Sequence, residues 1–122
     1  MKNFFIAGLV FFLLSGCSIL EEKHQMNKNA QQLAAEGAAS FMNEDYEDAI
    51  KAYTDLKDWY PFSKFAILAE LKIADAHFHL KEYPEAIAAY ENFEKMHPKN
   101  EAVPYIINQI AMCWFNQIDT ID

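Results

Sequence analysis

Arginine is absent from this sequence, and cysteine is scarce. The ten residues counted as Lys or Arg are all lysines, and 18 acidic residues give the 122-residue chain a formal net charge of −8. Because neutralising nucleic-acid phosphates requires clustered basic side chains, nucleic acid is excluded as an expected partner. The excess of acidic side chains favours solubility instead.

The two cysteines have different surroundings, and no internal disulfide is expected. Cys17 closes the string Leu14-Ser15-Gly16-Cys17, which directly follows an apolar run over residues 4–14 that begins just after Lys2. This pattern is a lipobox, in which the thiol takes a lipid and the chain is cut before the cysteine. Cys113 lies in an apolar string and is expected to be a small buried thiol.

The lipobox divides the chain into three parts. We expect a lipoprotein signal peptide over residues 1–16, a lipidated tether over 17–26 and one folded domain over 27–122. The alternative is an uncleaved membrane helix over residues 4–20, which is short beside the roughly 20 apolar residues that a bilayer requires. The covalent lipid on Cys17 is the only non-protein group expected, and no cofactor is predicted.

No segment shows the pattern of a strand, and the domain repeats itself with a shift of 37 residues. The shift superimposes Phe41 on Phe78, Tyr46 on Tyr83, Ala49 on Ala86, Ile50 on Ile87, Tyr53 on Tyr90 and Pro61 on Pro98. Small residues where helices approach, followed by aromatics and a closing proline, are typical of the tetratricopeptide repeat. The sequence therefore predicts an all-α tetratricopeptide solenoid, with repeats near 30–63 and 67–100 and an incomplete one over 104–122.

The periodicity predicts five helices, over residues 27–43, 45–59, 64–80, 84–96 and 103–118. The third repeat has its first helix but no second helix to cover its apolar side chains. We expect this chain to be a piece of a longer solenoid, or a partner to cover that face. One neighbouring helix is not expected to cover all of the apolar side chains of that helix, which are Ile106, Ile107, Ile110, Trp114 and Phe115.

A lipobox followed by these repeats resembles the BamD family of outer-membrane lipoproteins. The likeness rests on Tyr60-Pro61-Phe62-Ser63 after the first repeat, His97-Pro98 after the second, and the stretch over residues 105–119. It covers the whole chain but only about the first half of a family member. In Gram-negative lipoproteins that resemble this chain, an aspartate after the lipidated cysteine usually retains the protein in the inner membrane, and a serine does not. Ser18 therefore favours the outer membrane.

The resemblance implies a non-enzymatic scaffold of the β-barrel assembly machine, lipid-anchored to the outer membrane and facing the periplasm. Its implied partners are a BamA-like barrel protein, other lipoproteins of the machine and unfolded barrel precursors. The alternative is another lipid-anchored tetratricopeptide adaptor in the envelope, for example one that organises peptidoglycan hydrolases.

Two candidate peptide-binding regions follow from the repeat pattern. First helices line the concave surface of such arrays, and this position argument selects Leu71, Asp75, Phe78, His79, Asn108, Met112 and Asn116. The aromatic loop Tyr60, Pro61, Phe62 and Phe65 is the second candidate. Core packing is the competing interpretation of the apolar members of the first set, and loop packing that of the second.

Catalytic and metal sites are not predicted. His77 and His79 diverge by about 200° on a helix, so they cannot hold one ion together. The acidic pairs Glu44-Asp45 and Glu47-Asp48 surround a turn between helices, where they are expected to cap a helix N-terminus. No set of nucleophile, base and oxyanion donor is apparent.

Overall fold

The computed structural model describes residues 28–118, which form an antiparallel array of five helices without a strand in that range. The helices are α1 (Ala30–Met42), α2 (Tyr46–Trp59), α3 (Ala66–His79), α4 (Tyr83–Met96) and α5 (Val103–Ile118). Each packs on the next along the chain. The array is therefore two helical hairpins followed by one further helix, as the tetratricopeptide prediction requires.

The helix bounds follow the predicted ones, with small differences that local hydrogen bonds explain. Helix α1 begins at Ala30 because Asn29 forms a capping box with Gln32, each side chain accepting from the backbone N–H of the other residue at 2.9 Å. Helix α3 begins two residues later than predicted, after a turn in which the Phe65 N–H donates to Ser63 Oγ. The bounds of α5 match the prediction.

The turns inside the two hairpins are the same structure repeated 37 residues apart. Glu44 and Lys81 both have left-handed backbones, with φ of 64° and 61°. In each turn two backbone N–H groups donate back to the last turn of the preceding helix, from Glu44 and Asp45 in the first hairpin. This is the Schellman arrangement, in which glycine is the usual residue at the left-handed position.

The capping prediction for the acidic residues is correct only in part. Glu47 and Asp48 lie in the first turn of α2, where a negative charge interacts favourably with the helix dipole. Asp45 occupies the N-cap position but its side chain makes no capping hydrogen bond, because its backbone φ and ψ of −81° and 66° are not those of a side-chain cap. Glu44 lies in the turn that follows α1, where it takes the left-handed position of the helix-ending motif.

Each hairpin has its own hydrophobic core. The first core contains Leu33, Ala49, Tyr53, Leu56, Ala66 and Ala69, and the second contains Ala74, Ala86, Ile87, Tyr90, Phe93, Ile106 and Cys113. The first residues of α3 belong to the first core and its later residues to the second. Helix α3 therefore joins the two repeats.

Gly37 shows how closely α1 and α2 approach. A Cβ added there would lie 2.8 Å from ring carbons of the buried Tyr53. Such a contact is shorter than van der Waals packing allows, so the first hairpin needs a residue without a side chain at this position.

Helix α5 buries one face and exposes the other. Ile106 and Cys113 are fully buried against the second core, which confirms the buried thiol, and burial raises the pKa of the Cys113 thiol. Ile106 packs against residues of α4, and Ile110 is half-buried. Ile107, Trp114 and Phe115 are exposed, so the neighbouring helix leaves part of the apolar set uncovered, as predicted. None of the helices in the described range is long and apolar enough to cross a membrane.

Candidate peptide-binding site

The first helices of the repeats place equivalent residues in rows that cross the array. One row is Ala38, Asp75 and Met112, on α1, α3 and α5, and a second is Met42, His79 and Asn116. Residues 31, 68 and 105 form a third row at the same spacing. Because each row continues from repeat to repeat, the first helices form one surface that runs across the repeats.

Asp75 is the most constrained residue of this surface. Its side chain is buried, and Oδ1 accepts hydrogen bonds from the hydroxyls of Tyr90 at 2.7 Å and Tyr105 at 2.9 Å. Lys72 Nζ lies 3.4 Å from Oδ2, one turn earlier on α3. The carboxylate thus connects α3, α4 and α5. Because it is buried, a ligand on this surface would contact the residues around Asp75 rather than the carboxylate itself.

The two tyrosine hydroxyls stay protonated through the physiological range. Burial raises the pKa of Tyr90 far above its ordinary value, and the neighbouring Asp75 charge raises it further. The same two causes, in the same order, raise the pKa of Tyr105 to about 12. Both hydroxyls therefore remain hydrogen-bond donors to Asp75 at physiological pH.

His79 belongs to an aromatic cluster at the first repeat. Its ring stacks on Tyr46 with centroids 4.7 Å apart and meets Phe41 edge-on at 5.5 Å. Lys72 Nζ lies 4.7 Å from the centroid of the Phe41 ring, which links this cluster to Asp75. The half-buried rings of Phe41 and Tyr46, the exposed ring of His79, one cation and one carboxylate thus lie together across α1, α2 and α3.

The remaining residues of the first candidate set divide into two kinds. Leu71 and Phe78 are half-buried and pack against the second core, so much of their surface is already in contact. Asn108 and Met112 are exposed on α5, and Asn116 is half-buried. The structure brings Asp75 and the α5 residues to one side of the array, while their contact with a peptide stays a prediction.

The aromatic loop after α2 also contains both packed and exposed residues. Tyr60 is held in place because its hydroxyl donates to the backbone carbonyl of Lys28 at 2.7 Å, and Phe65 packs against the first core. Pro61 is exposed and Phe62 is fully exposed. Only the tip of this loop is therefore free to bind a second molecule. Cys17, the predicted lipid site, lies outside the described residues.

The two histidines of α3 point to different neighbours. His77 Nδ1 lies 2.6 Å from the Glu82 carboxylate, whereas His79 stacks on Tyr46. No group of three metal-ligating side chains is present within residues 28–118. The two imidazole rings therefore have different partners.

Sequence reasoning missed the residues that complete the surface: Phe41, Tyr46, Lys72 and Tyr105. Phe41 and Tyr46 were visible only as repeat positions, since both have counterparts 37 residues on. Tyr105 has Leu68 as its counterpart, so the repeat gave no signal for a hydroxyl there. Its bond to Asp75 joins residues 30 apart, which only the packing of α5 on α3 brings together.

The fold defines a class: the chain is a tetratricopeptide-type helical array, with polar and aromatic side chains on the surface that α1, α3 and α5 form. Its sequence matches the model of the family YfiO, outer membrane lipoprotein, over residues 26–122. The chain therefore belongs to that family, as the resemblance in the sequence predicted.

Named relatives are distant in sequence but cover nearly the whole chain. An outer membrane protein assembly factor BamD from Neisseria meningitidis serogroup A is 25% identical over 96% of this chain and 46% of its own length. The protein of the same name from Caulobacter vibrioides is 24% identical over 92% of this chain and 38% of its own. The chain thus spans about half the length, or less, of these curated relatives.

Proposed function

We propose that this chain is a lipid-anchored scaffold that takes part in the assembly of β-barrel proteins into the outer membrane. The observation that carries the proposal is the family match over residues 26–122, with relatives named as outer membrane protein assembly factors. The chain is anchored through a lipid on Cys17, at the periplasmic side of the outer membrane. It acts by binding, and no chemical step is assigned to it.

The inner surface of α1, α3 and α5 is the site where extended segments of unfolded barrel precursors bind. Such segments alternate apolar and polar side chains and end in an aromatic residue. The Phe41–Tyr46–His79 cluster offers ring faces to that aromatic, and Lys72 offers a positive charge beside it. Asn108 and Met112 continue the surface on α5, where they supply amide and thioether contacts.

A BamA-like barrel protein and other lipoproteins of the assembly machine are the proposed stable partners. An affinity pull-down of the lipidated protein from detergent-solubilised envelopes tests this part, with Cys17→Ala as the control for anchoring. We expect a large outer-membrane barrel protein with periplasmic modules to be recovered. Recovery of peptidoglycan hydrolases without it would instead support the alternative adaptor function.

The binding surface is tested separately with a labelled peptide that has the alternating pattern and terminal aromatic of a barrel strand. His79→Ala removes the ring that stacks on Tyr46, and we expect the Kd to rise about five- to tenfold, or about 1 kcal/mol. His77→Ala is the matched control, because it lies two residues away, faces Glu82 and should change the Kd by less than about twofold. Equal effects of the two variants would refute this site.

A further inference from the structure

The helical array has two chemically different ends. We call the end that holds loops 60–65 and 97–102 the tether end, because Lys28 is fixed there by the hydrogen bond from Tyr60. His97 lies at the same end, where its Nε2 pairs with Glu70 at 2.8 Å. The opposite end holds the two hairpin turns, residues 43–45 and 80–82.

Exposed apolar side chains lie in the first tether-end loop and in the helix ends beside both loops. Phe62 is fully exposed, Met96 is 64% exposed and Trp59 is 39% exposed. Ile67 and Leu68, in the first turn of α3, are exposed beside them. Within four residues of the hairpin turns at the opposite end, over 39–49 and 76–86, Met42 is the one large apolar side chain that is exposed, although the last turn of α5 adds Phe115 and Ile118 at that end.

The two ends also differ in charge. Within four residues of the tether-end loops, over 56–69 and 93–106, lysines 57, 64, 95 and 99 outnumber the acids at 58, 94 and 101. The equivalent ranges around the hairpin turns contain Lys81 against six acids, at positions 44, 45, 47, 48, 82 and 85. The protein is acidic as a whole, but its tether end is not.

We infer that the tether end lies against the bilayer, with Phe62, Trp59 and Met96 in the lipid headgroup region and the neighbouring lysines on lipid phosphates. This proposal rests on the lipid anchor of the proposed function. Aromatic side chains next to lysines suit the membrane interface, since rings enter the headgroup layer while ammonium groups pair with phosphate. The acidic opposite end would be repelled by an anionic lipid surface.

The anchor alone does not fix this orientation. Cys17 precedes Lys28 by eleven residues, and an extended chain of that length reaches at most roughly 40 Å. That reach exceeds the roughly 21 Å length of a 14-residue helix such as α3. Either end could therefore meet the membrane, and the surface of the tether end decides which one does.

The test uses the two tryptophans of the lipidated protein in vesicles of phosphatidylethanolamine and phosphatidylglycerol, prepared with and without brominated acyl chains. Trp114→Phe leaves Trp59 at the tether end, and Trp59→Phe leaves Trp114 on α5. We expect brominated lipid to quench Trp59 at least about twice as strongly as Trp114, because interfacial groups lie about 5–10 Å into the headgroup layer. Trp114 is the more exposed of the two, at 56%, so water access alone would give the opposite order.

A second pair of variants separates insertion from mere proximity. Phe62→Ser should reduce the quenching of Trp59 by half or more, whereas Met42→Ser, an exposed apolar residue at the opposite end, should leave it unchanged. Equal Trp59 emission in brominated and plain vesicles would overturn the proposal, as would quenching restricted to Trp114. An unmodified Cys17 in the intact mass would overturn the anchoring itself, and the pull-down tests the partners independently.

Discussion

The two complete repeats share a backbone but not an interior. Both have a left-handed turn residue, at Glu44 and Lys81, and a buried tyrosine on the second helix, at Tyr53 and Tyr90. In the first repeat the tyrosine ring packs directly on Gly37. In the second repeat a Cβ is present, at Ala74, and the tyrosine hydroxyl donates to Asp75.

This difference shows that the repeat conserves shape and leaves polar contacts to vary. At the position of Asp75 the first repeat has Ala38, which is exposed and has no acceptor in its side chain. Asp75 is buried because Tyr105 of the next repeat reaches over to it. Both repeats have an apolar core, and the second has in addition a hydrogen-bonded link to the third.

The largest expected effect comes from removing that link. Asp75→Ala leaves the buried Tyr90 hydroxyl without its acceptor, and we expect the free energy of unfolding to fall by about 2–3 kcal/mol in urea denaturation followed by circular dichroism. Ala38→Asp, the reciprocal change at an exposed position, should alter it by less than about 0.5 kcal/mol. Similar losses for both variants would show that the two repeats do not differ as described.

Packing at the small residues is the next comparison. Gly37→Ala places a Cβ against the Tyr53 ring, and overpacking of about 1–3 kcal/mol should outweigh the helical preference for alanine of about 1 kcal/mol. Ala74→Gly, at the equivalent position, should also destabilise, by about 1 kcal/mol, because glycine disfavours the helix there. Denaturation midpoints of the two variants check this, and a more stable Gly37→Ala would contradict the close contact.

Alkaline pH should distinguish the two tyrosines. The pKa of Tyr90 is raised in the folded state, so above pH 10 the unfolded chain loses a proton that the folded chain keeps. The contribution of Tyr90 to the free energy of unfolding is fully present below pH 10. Above pH 10 the free energy of unfolding should fall by about 1.4 kcal/mol per pH unit because of Tyr90 alone. The urea midpoint should fall with pH between pH 9 and 12, and Tyr90→Phe should reduce this fall more than Tyr53→Phe does. The pKa of Tyr53 is raised by burial alone. Equal slopes would count against the Asp75 contribution.

The smallest effect should have the same sign in both repeats. Glu44→Gly and Lys81→Gly each relieve a left-handed backbone, and each should stabilise the fold by about 0.5–1 kcal/mol. Lys51→Gly, at an exposed position inside α2, is the control and should cost about 1 kcal/mol. Thermal midpoints are sufficient to measure these changes. A gain in one repeat without the other would reveal a difference in the turns that their backbones do not show.

Most of the fold was predictable from the sequence because its signals are local and repeated. The 37-residue shift and the prolines placed five helices within three residues of their observed bounds. The capping box at Asn29 and Gln32 was readable as a motif, yet the apolar pattern alone put the start of α1 too early. Asp45 was predicted to cap α2 from its residue type, and the Schellman turn before it prevented this.

The candidate surface was less predictable, since its contacts join residues far apart in the chain. The sequence selected Asp75 and His79 by position, but it gave no sign that Asp75 would be buried under Tyr105 or that His79 would stack on Tyr46. These contacts depend on how α5 packs on α3 and how α3 packs on α1. A repeat alignment compares equivalent positions, and such contacts are made between positions that are not equivalent.

The sequence by itself determined the helical class, the repeat length, the family and the buried state of Cys113, because periodic apolar residues and helix-ending prolines act over a few residues. Only the tertiary structure decided which side chains remain exposed, which tyrosine bonds to Asp75 and which end of the array gathers Phe62, Trp59 and Met96. The physical reason is that burial and polar pairing belong to surfaces that several helices form together.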